Sequence, residues 1–154
     1  CCQQSRGYIY VGPVFAEEEL DDSLCPWCIA DGTAHQKFGA EFTDRSAIGD
    51  GGGSNHLAPQ IVDEIATKTP GFSGWQQERW LTCCDDAAIF LGRYGRHDLV
   101  AAGSDAVKAI QDECGMTGSA WEQYLAVLDR DGSPSAYLFR CDSCGRFSGY
   151  SDCD

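Results

Sequence analysis

The chain has 154 residues, which suits one compact domain that buries about two-thirds of its unfolded surface without cross-links. It carries 11 Lys+Arg against 24 Asp+Glu, and the net charge of -13 repels phosphate backbones, which disfavours a nucleic-acid-binding protein. No apolar run is long enough to span a bilayer, so we expect no membrane partner, and the acidic surface favours a basic partner or simply solubility.

Patterning in the first half of the chain predicts short mixed elements. Residues 5–15 combine aromatic and β-branched side chains and predict a β-segment. Residues 28–38 predict a short helix that begins at a cysteine pair. The glycine run over residues 50–55 predicts a loop, and the apolar spacing over residues 57–67 predicts the next helix.

The second half of the chain is expected to be more helical. Helices are predicted over residues 84–94, 105–114 and 118–127, and acidic residues in the first turn of the earliest of them complement its dipole. Residues 136–140 predict a strand that runs into the last cysteine pair, with a possible strand after it.

These segments together predict an α+β fold in a single compact domain over residues 1–154. We expect small knuckles of the zinc-ribbon or treble-clef kind, β-hairpins and four or so helices. Residues 1–48 would form a first zinc half, and residues 56–154 would form a helical part with a C-terminal zinc knuckle.

The ten cysteines are the strongest chemical signal in the sequence. Adjacent and C-x-x-C pairs strain a disulfide, whereas C-x-x-C is the natural bite for two thiolates on one zinc. We therefore predict structural Zn²⁺, one or two ions, and a cytoplasmic protein with reduced thiols. The predicted ligands are Cys2, Cys25, Cys28, Cys83, Cys84, Cys141 and Cys144.

The predicted ligands pair in chain order. Cys141-Asp-Ser-Cys144 followed by glycine is typical of a zinc knuckle. The Cys25–Cys28 and Cys83-Cys84 pairs are predicted at helix N-termini, where the dipole stabilises thiolate. A first site would combine Cys2, together with a missing upstream cysteine or Cys1, with the Cys25–Cys28 pair. A second site would combine Cys83, Cys84 or both with Cys141 and Cys144. A single shared site, or one site with a histidine ligand, stays open.

A weak internal repeat suggests the register of the first cluster. Tyr150 follows Cys144 by six residues, as Tyr8 follows Cys2. Cys2 would then be the second cysteine of a knuckle whose partner lies upstream of Cys1. The chain is expected to be a fragment of a longer protein, since it opens without an initiator methionine.

The remaining cysteines and histidines are expected to play no metal role. Cys114 lies at helix spacing from an isoleucine and predicts a core position, and Cys153 near the end is uninformative. His35, His56 and His97 show no metal-type spacing among themselves, so surface or core positions are the default for them.

Cys25-Pro-Trp-Cys28 also resembles the redox motif of thioredoxin-like proteins, which makes a thiol redox enzyme or regulator the alternative function. A redox pair should follow a buried apolar strand, whereas this one follows an acidic run. Nearby acidic charge raises a thiol pKa and opposes thiolate chemistry. No other catalytic motif is evident, so we expect no enzyme.

Seven segments spread over nearly the whole chain carry a family resemblance. They are Arg6-Gly7-Tyr8-Ile9-Tyr10-x-Gly12-Pro13, Glu17-Glu18-Glu19-Leu20, Leu24-Cys25-Pro26-Trp27-Cys28-Ile29-Ala30-Asp31-Gly32, Ala40-Glu41-Phe42-Thr43-Asp44, Thr69-Pro70-Gly71-Phe72-x-Gly74-Trp75-Gln76-Gln77-Glu78, Trp80-Leu81-x-Cys83-Cys84-Asp85-Asp86, and Ala136-Tyr137-Leu138-Phe139-Arg140-Cys141 with Cys144-Gly145. Together they resemble the CbrC family, which includes a protein that confers tolerance to a nuclease-type colicin. The resemblance implies a bacterial cytoplasmic protein with a cysteine knuckle where this chain begins. Gln3 stands where that knuckle carries glycine, and the upstream cysteine is absent.

The resemblance implies an immunity or tolerance protein without catalysis of its own. Nuclease toxins carry basic nucleic-acid-binding surfaces, and an acidic inhibitor can associate with them through electrostatic steering. An ordinary solvated charge run and a zinc-scaffolded adaptor for another bacterial protein are the alternatives. The predicted contacts with a basic toxin domain are Glu17, Glu18, Glu19, Asp21 and Asp22.

Overall fold

The computed structural model describes residues 1–49 and 57–154, and the chain divides into two compact units, Cys1–Ser73 and Gly74–Asp154. α-Helices and antiparallel sheets occur together, which confirms the α+β class. The predicted 50–55 loop lies outside the described residues, and the single domain over 1–154 stays a prediction. Within the described part of the chain, no helix has the length and apolar character needed to cross a bilayer.

The N-terminal unit is built from short helices. Gly32 adopts a φ of 77° between the first two of them, which is a left-handed conformation that glycine takes without a steric penalty. The single helix predicted over residues 28–38 is therefore wrong, because the chain turns at Gly32 and starts a new helix. The elements are α1 (Pro26–Ala30), α2 (Thr33–Phe38), a 3₁₀ helix (Arg45–Ala47) and α3 (Pro59–Lys68).

The β-segment predicted over residues 5–15 is also wrong. In this described stretch, Phe15 makes an isolated antiparallel bridge with Glu41, and no strand forms. The Tyr10 amide donates to the Leu24 carbonyl at 2.9 Å, but the chain offers the segment no continuous partner strand. Strand-type residues need such a partner, because their backbone groups cannot pair within the segment.

The core of the N-terminal unit places two cysteines among large apolar side chains. Cys25 and Cys28 are buried together with Leu24 and Ile29. Tyr10 belongs to the same core, and its hydroxyl donates to the Pro13 and Gly71 carbonyls. The Cys25–Cys28 pair is therefore part of the interior and not a surface motif.

The C-terminal unit combines a two-stranded hairpin, a three-stranded antiparallel sheet and three helices. The helices predicted over 105–114 and 118–127 and the strand over 136–140 are confirmed. The helix predicted over 57–67 in the other unit is confirmed with a shift of its bounds, as α3. The elements of this unit are β1 (Thr82–Cys83), β2 (Asp86–Ala87), β3 (Ile89–Tyr94), α4 (Arg96–Ala102), α5 (Ser104–Cys114), α6 (Gly118–Val127), β4 (Ser135–Arg140) and β5 (Phe147–Asp152).

The helix predicted over residues 84–94 is wrong, because this segment forms β2 and β3. β3 pairs with β4 along its length, and the ring centroids of Phe90 and Phe139 lie 5.1 Å apart. Aromatic and β-branched residues favour such a pleated surface, and Gly92 weakens a helix. The acidic residues read as a helical first turn instead belong to the β1–β2 hairpin.

The core of the C-terminal unit lies between the three-stranded sheet and α5. On the helix side, Ala136 and Leu138 of β4 pack with Ile110 of α5. On the opposite face of the sheet, Tyr137 of β4 and Tyr150 of β5 stack with ring centroids 4.9 Å apart, and both are buried. A Cβ atom on Gly149 would lie 2.5 Å from Cδ1 of Ile110 and 2.6 Å from the Tyr137 carbonyl oxygen. The missing side chain at Gly149 thus allows α5 to pack closely on β5.

Candidate metal centres

Four cysteine sulfurs converge in the C-terminal unit, and we call them the four-thiol group: Cys83, Cys84, Cys141 and Cys144. All four lie within 4.8 Å of one another, and the Cys83 sulfur is 3.7 Å from those of Cys84 and Cys144. A tetrahedral zinc with Zn–S bonds of about 2.3 Å holds its sulfurs about 3.8 Å apart, whereas a disulfide bond measures about 2.05 Å. The sulfur–sulfur distances therefore fit ligands that share one metal ion and are too long for disulfide bonds.

Two facing turns supply these four ligands. Cys84 and Asp85 form the two-residue turn of the β1–β2 hairpin, with φ values of 56° and 57°. Positive φ at both central residues is typical of a type I′ turn. The other turn joins β4 to β5, and there the Gly145 amide donates to the Cys141 carbonyl at 3.0 Å. The prediction that Cys83-Cys84 begins a helix is wrong, since a hairpin knuckle holds this pair.

The electrostatics of the four-thiol group favour a bound cation. Backbone donation from the Cys144 amide lowers the pKa of the Cys141 thiol to about 7. Hydrogen bonding with Cys141 and burial raise the pKa of Cys83 to about 12. Four thiolates cannot share this space without a positive charge, and a divalent metal removes the mutual repulsion that opposes their ionisation.

A three-thiol group, Cys2, Cys25 and Cys28, forms in the N-terminal unit. The Cys25 sulfur lies 3.9 Å from that of Cys2 and 3.6 Å from that of Cys28. The Gln4 amide lowers the pKa of Cys2 to about 7, and burial raises the pKa of Cys28 to about 12. Cys1 packs against the same core, but it is not in this group. Three thiols at this spacing can also hold a metal ion.

The remaining thiols and imidazoles of the described residues lie outside both groups. The Cys114 sulfur contacts the Ser151 hydroxyl at 3.2 Å on the packed face of α5, and Cys153 is exposed. His35 Nδ1 lies 3.1 Å from the Ala40 carbonyl oxygen. His97 is exposed at the start of α4. His56, which was expected to have no metal role, is outside the described residues.

The acidic run predicted as a partner contact lies on the surface of the N-terminal unit. Leu20 is buried and anchors its centre, while the flanking carboxylates point outward. Among the described residues, none of the five carboxylates of the run forms an ion pair. The exposed members, which we call the acidic run, are Glu17, Glu18, Glu19, Asp21 and Asp22.

One further surface feature was not indicated by the sequence pattern. Tyr8, Ile9, Val11 and Trp27 are exposed, although residues of these types usually lie inside a protein. The pattern of residues 5–15 predicts a β-segment and does not indicate which of its side chains are exposed. The Tyr8 and Trp27 rings lie 6.2 Å apart and so share one face of the unit.

Comparison with known proteins assigns the chain to a family. The UPF0167 proteins of Mycobacterium bovis and Mycobacterium tuberculosis are each 46% identical to it, over 98% of this chain and 80% of theirs. A UPF0167 protein of Pseudomonas aeruginosa is 38% identical over 95% of this chain and 80% of its own. No solved structure matches the chain. Residues 1–153 match the profile of the Uncharacterised protein family (UPF0167), and the chain therefore belongs to the UPF0167 family.

Proposed function

We propose that this chain is a zinc-stabilised binding protein that has no catalytic activity and engages a basic partner protein. The observation that carries the metal part is the four-thiol group, whose sulfurs already stand at the spacing of a tetrahedral zinc site. A closed site with four protein ligands leaves no open position for a substrate. Such a site stabilises a fold and does not turn over.

The donor set favours zinc among the metals. Thiolates are soft ligands, and a tetrahedral all-sulfur site suits Zn²⁺ or iron but not Mg²⁺ or Ca²⁺. The three-thiol group supports a second ion with the same preference. Both groups would link segments that are far apart in sequence, since Cys2 and Cys25 are 23 residues apart and Cys83 and Cys144 are 61 apart.

The same geometry weighs against the redox alternative at Cys25 and Cys28. A dithiol redox centre works with two sulfurs and one of low pKa, whereas here the Cys2 sulfur is a third member. Burial holds the pKa of Cys28 at about 12, which opposes thiolate chemistry in the metal-free state. We therefore place this pair with the metal ligands.

The acidic run supports the partner-binding part of the proposal. Five exposed carboxylates without ion pairs among the described residues add to a net charge of -13, which attracts a basic surface and accelerates encounter. The resemblance to the CbrC family names a nuclease-type toxin as one such partner. Immunity or tolerance toward a toxin of this kind is the finer form of the proposal.

Elemental analysis of the purified full chain tests the metal part. We expect zinc, with about one equivalent for each complete thiol group. Cys141→Ser should remove the zinc of the four-thiol group, and Cys153→Ser, which alters an exposed thiol outside both groups, should leave the zinc content unchanged. Iron in place of zinc would show that the proposed metal is wrong. A stable, metal-free chain with reactive dithiols would support the redox alternative.

A further inference from the structure

An apolar platform stands on the surface of the N-terminal unit. Tyr8 and Trp27, with exposed fractions of 74% and 43%, form its ring contact, and Ile9 and Val11, with exposed fractions of 51% and 80%, lie in the same short segment as Tyr8. Single exposed apolar side chains are common, but a cluster of large ones marks an interaction site. The Tyr8–Trp27 ring contact shows that two chain segments contribute to one face.

The three-thiol group lies beside both chain segments of this platform. Trp27 lies between the ligands Cys25 and Cys28, and Tyr8 follows the ligand Cys2 by six residues. The Tyr10 amide donates to the Leu24 carbonyl and fixes the first segment beside the second. A metal bound at the three thiols would therefore clamp both parts of the platform at once.

The platform is continuous with the acidic run. A surface cavity of about 440 Å³ lies beside the three-thiol group, and its walls include Tyr8 and Ile9 from the platform and Asp22 from the run. Arg6 is the basic side chain among the described lining residues, and its guanidinium lies 5.2 Å from the Trp27 ring centroid. The other four carboxylates of the acidic run are exposed to solvent.

We infer that the platform and the acidic run form one docking surface for a basic, amphipathic segment of a partner protein. Apolar side chains of that segment would cover the platform, and its Lys or Arg side chains would meet the carboxylates. The acidic half rests on the proposed function, and the platform goes beyond it. Charge complementarity selects this occupant, because the chain's net charge of -13 opposes an anionic membrane, a nucleic acid and a second copy of itself.

Two short synthetic peptides test the inference, one alternating Lys with Leu and the other alternating Lys with Ser. Their binding to the zinc-loaded full chain is measured by fluorescence anisotropy at physiological ionic strength. We expect the Lys/Leu peptide to bind about tenfold more tightly, because burial of its apolar side chains adds to the shared charge attraction. Chelation of the metal should abolish this difference.

A matched pair of variants locates the binding. Ile9→Ser combined with Val11→Ser should reduce Lys/Leu binding to the level of the Lys/Ser peptide. Val100→Ser combined with Val127→Ser replaces two other exposed valines, with exposed fractions of 58% and 57%, and should leave binding unchanged. Zinc content and thermal unfolding confirm that each variant is folded.

Each other outcome has a defined meaning. Equal binding of the two peptides, or unchanged binding in the Ile9→Ser, Val11→Ser variant, overturns the platform while leaving the charge-driven function intact. Failure of both peptides to bind overturns both ideas, as does unweakened binding after neutralisation of the acidic run. Platform-dependent binding to phosphatidylserine vesicles, or platform-dependent dimerisation in sedimentation, overturns the inference in favour of a lipid surface or a second copy.

Discussion

Gly149 in β5 shows how one absent side chain sets the packing of the C-terminal unit. We expect Gly149→Ala to lower the free energy of unfolding by about 1–3 kcal/mol, because the added Cβ would overlap Ile110 Cδ1 and the Tyr137 carbonyl. The carbonyl is backbone within the sheet and cannot move aside. Urea unfolding measures the change, and Gly7→Ala, where a Cβ has no neighbour within 4 Å, is the control.

Tyr150 makes stability depend on pH at the alkaline end. Burial raises the pKa of its phenol above the ordinary value near 10, and the hydroxyl accepts a hydrogen bond from the Arg79 amide at 3.0 Å. The folded state therefore holds the phenol proton longer than the unfolded state. This contribution to stability is complete below about pH 10 and is lost as the pH rises further.

Unfolding free energies measured across this pH range check the expectation for Tyr150. Tyr150→Phe should be less stable at neutral pH, since the Arg79 amide loses its acceptor, and should show a shallower alkaline decline. An equally steep decline in the Phe variant would assign the pH dependence to other groups.

The β1–β2 hairpin is the element in which backbone conformation and metal binding meet. Asp85 has a φ of 57°, which lies in the left-handed region. Aspartate tolerates this conformation, whereas it costs a β-branched residue such as valine about 1–2 kcal/mol. Asp85→Gly should therefore leave the zinc-loaded protein as stable or slightly more stable, whereas Asp85→Val should destabilise it by about that amount. Thermal unfolding compares the two, and equal midpoints would show that the turn does not need a positive φ.

At the scale of elements, the sequence predicted the pieces that local pattern determines. Residues of α5, α6 and β4 carry clear periodicity, and the cysteine pairs carry the spacing of metal ligands. Residues 84–94 were misread, since their acidic start resembles a helical first turn and only pairing with β4 makes β3 a strand. The platform was not predicted, because Tyr8 and Val11 belong to residues 5–15, whose composition predicts a β-segment and not an exposed surface. Exposure depends on which segments come to cover them, and no local pattern records that.

For the whole molecule, the net charge of -13 should govern the rate at which a partner associates. The proposed association with a basic partner domain should slow steeply as ionic strength rises, because salt screens exposed charges. Neutralising the acidic run with Gln and Asn should lower the association rate at low salt. Asp105→Asn combined with Glu122→Gln, which alters exposed carboxylates of α5 and α6, is the control. Stopped-flow mixing measures the rates, and equal slowing in both variants would deny the run a specific role.

The two thiol groups do not interleave along the chain. Cys2, Cys25 and Cys28 all precede the boundary at Ser73, and the four-thiol group follows it entirely. During synthesis, the ligands of the three-thiol group therefore emerge from the ribosome before Cys83 is made. Folding of a nascent chain generally proceeds from its N-terminus, so a metal at the three-thiol group would have its ligands available before the four-thiol group is complete. A metal at either group would need no ligand from the other unit.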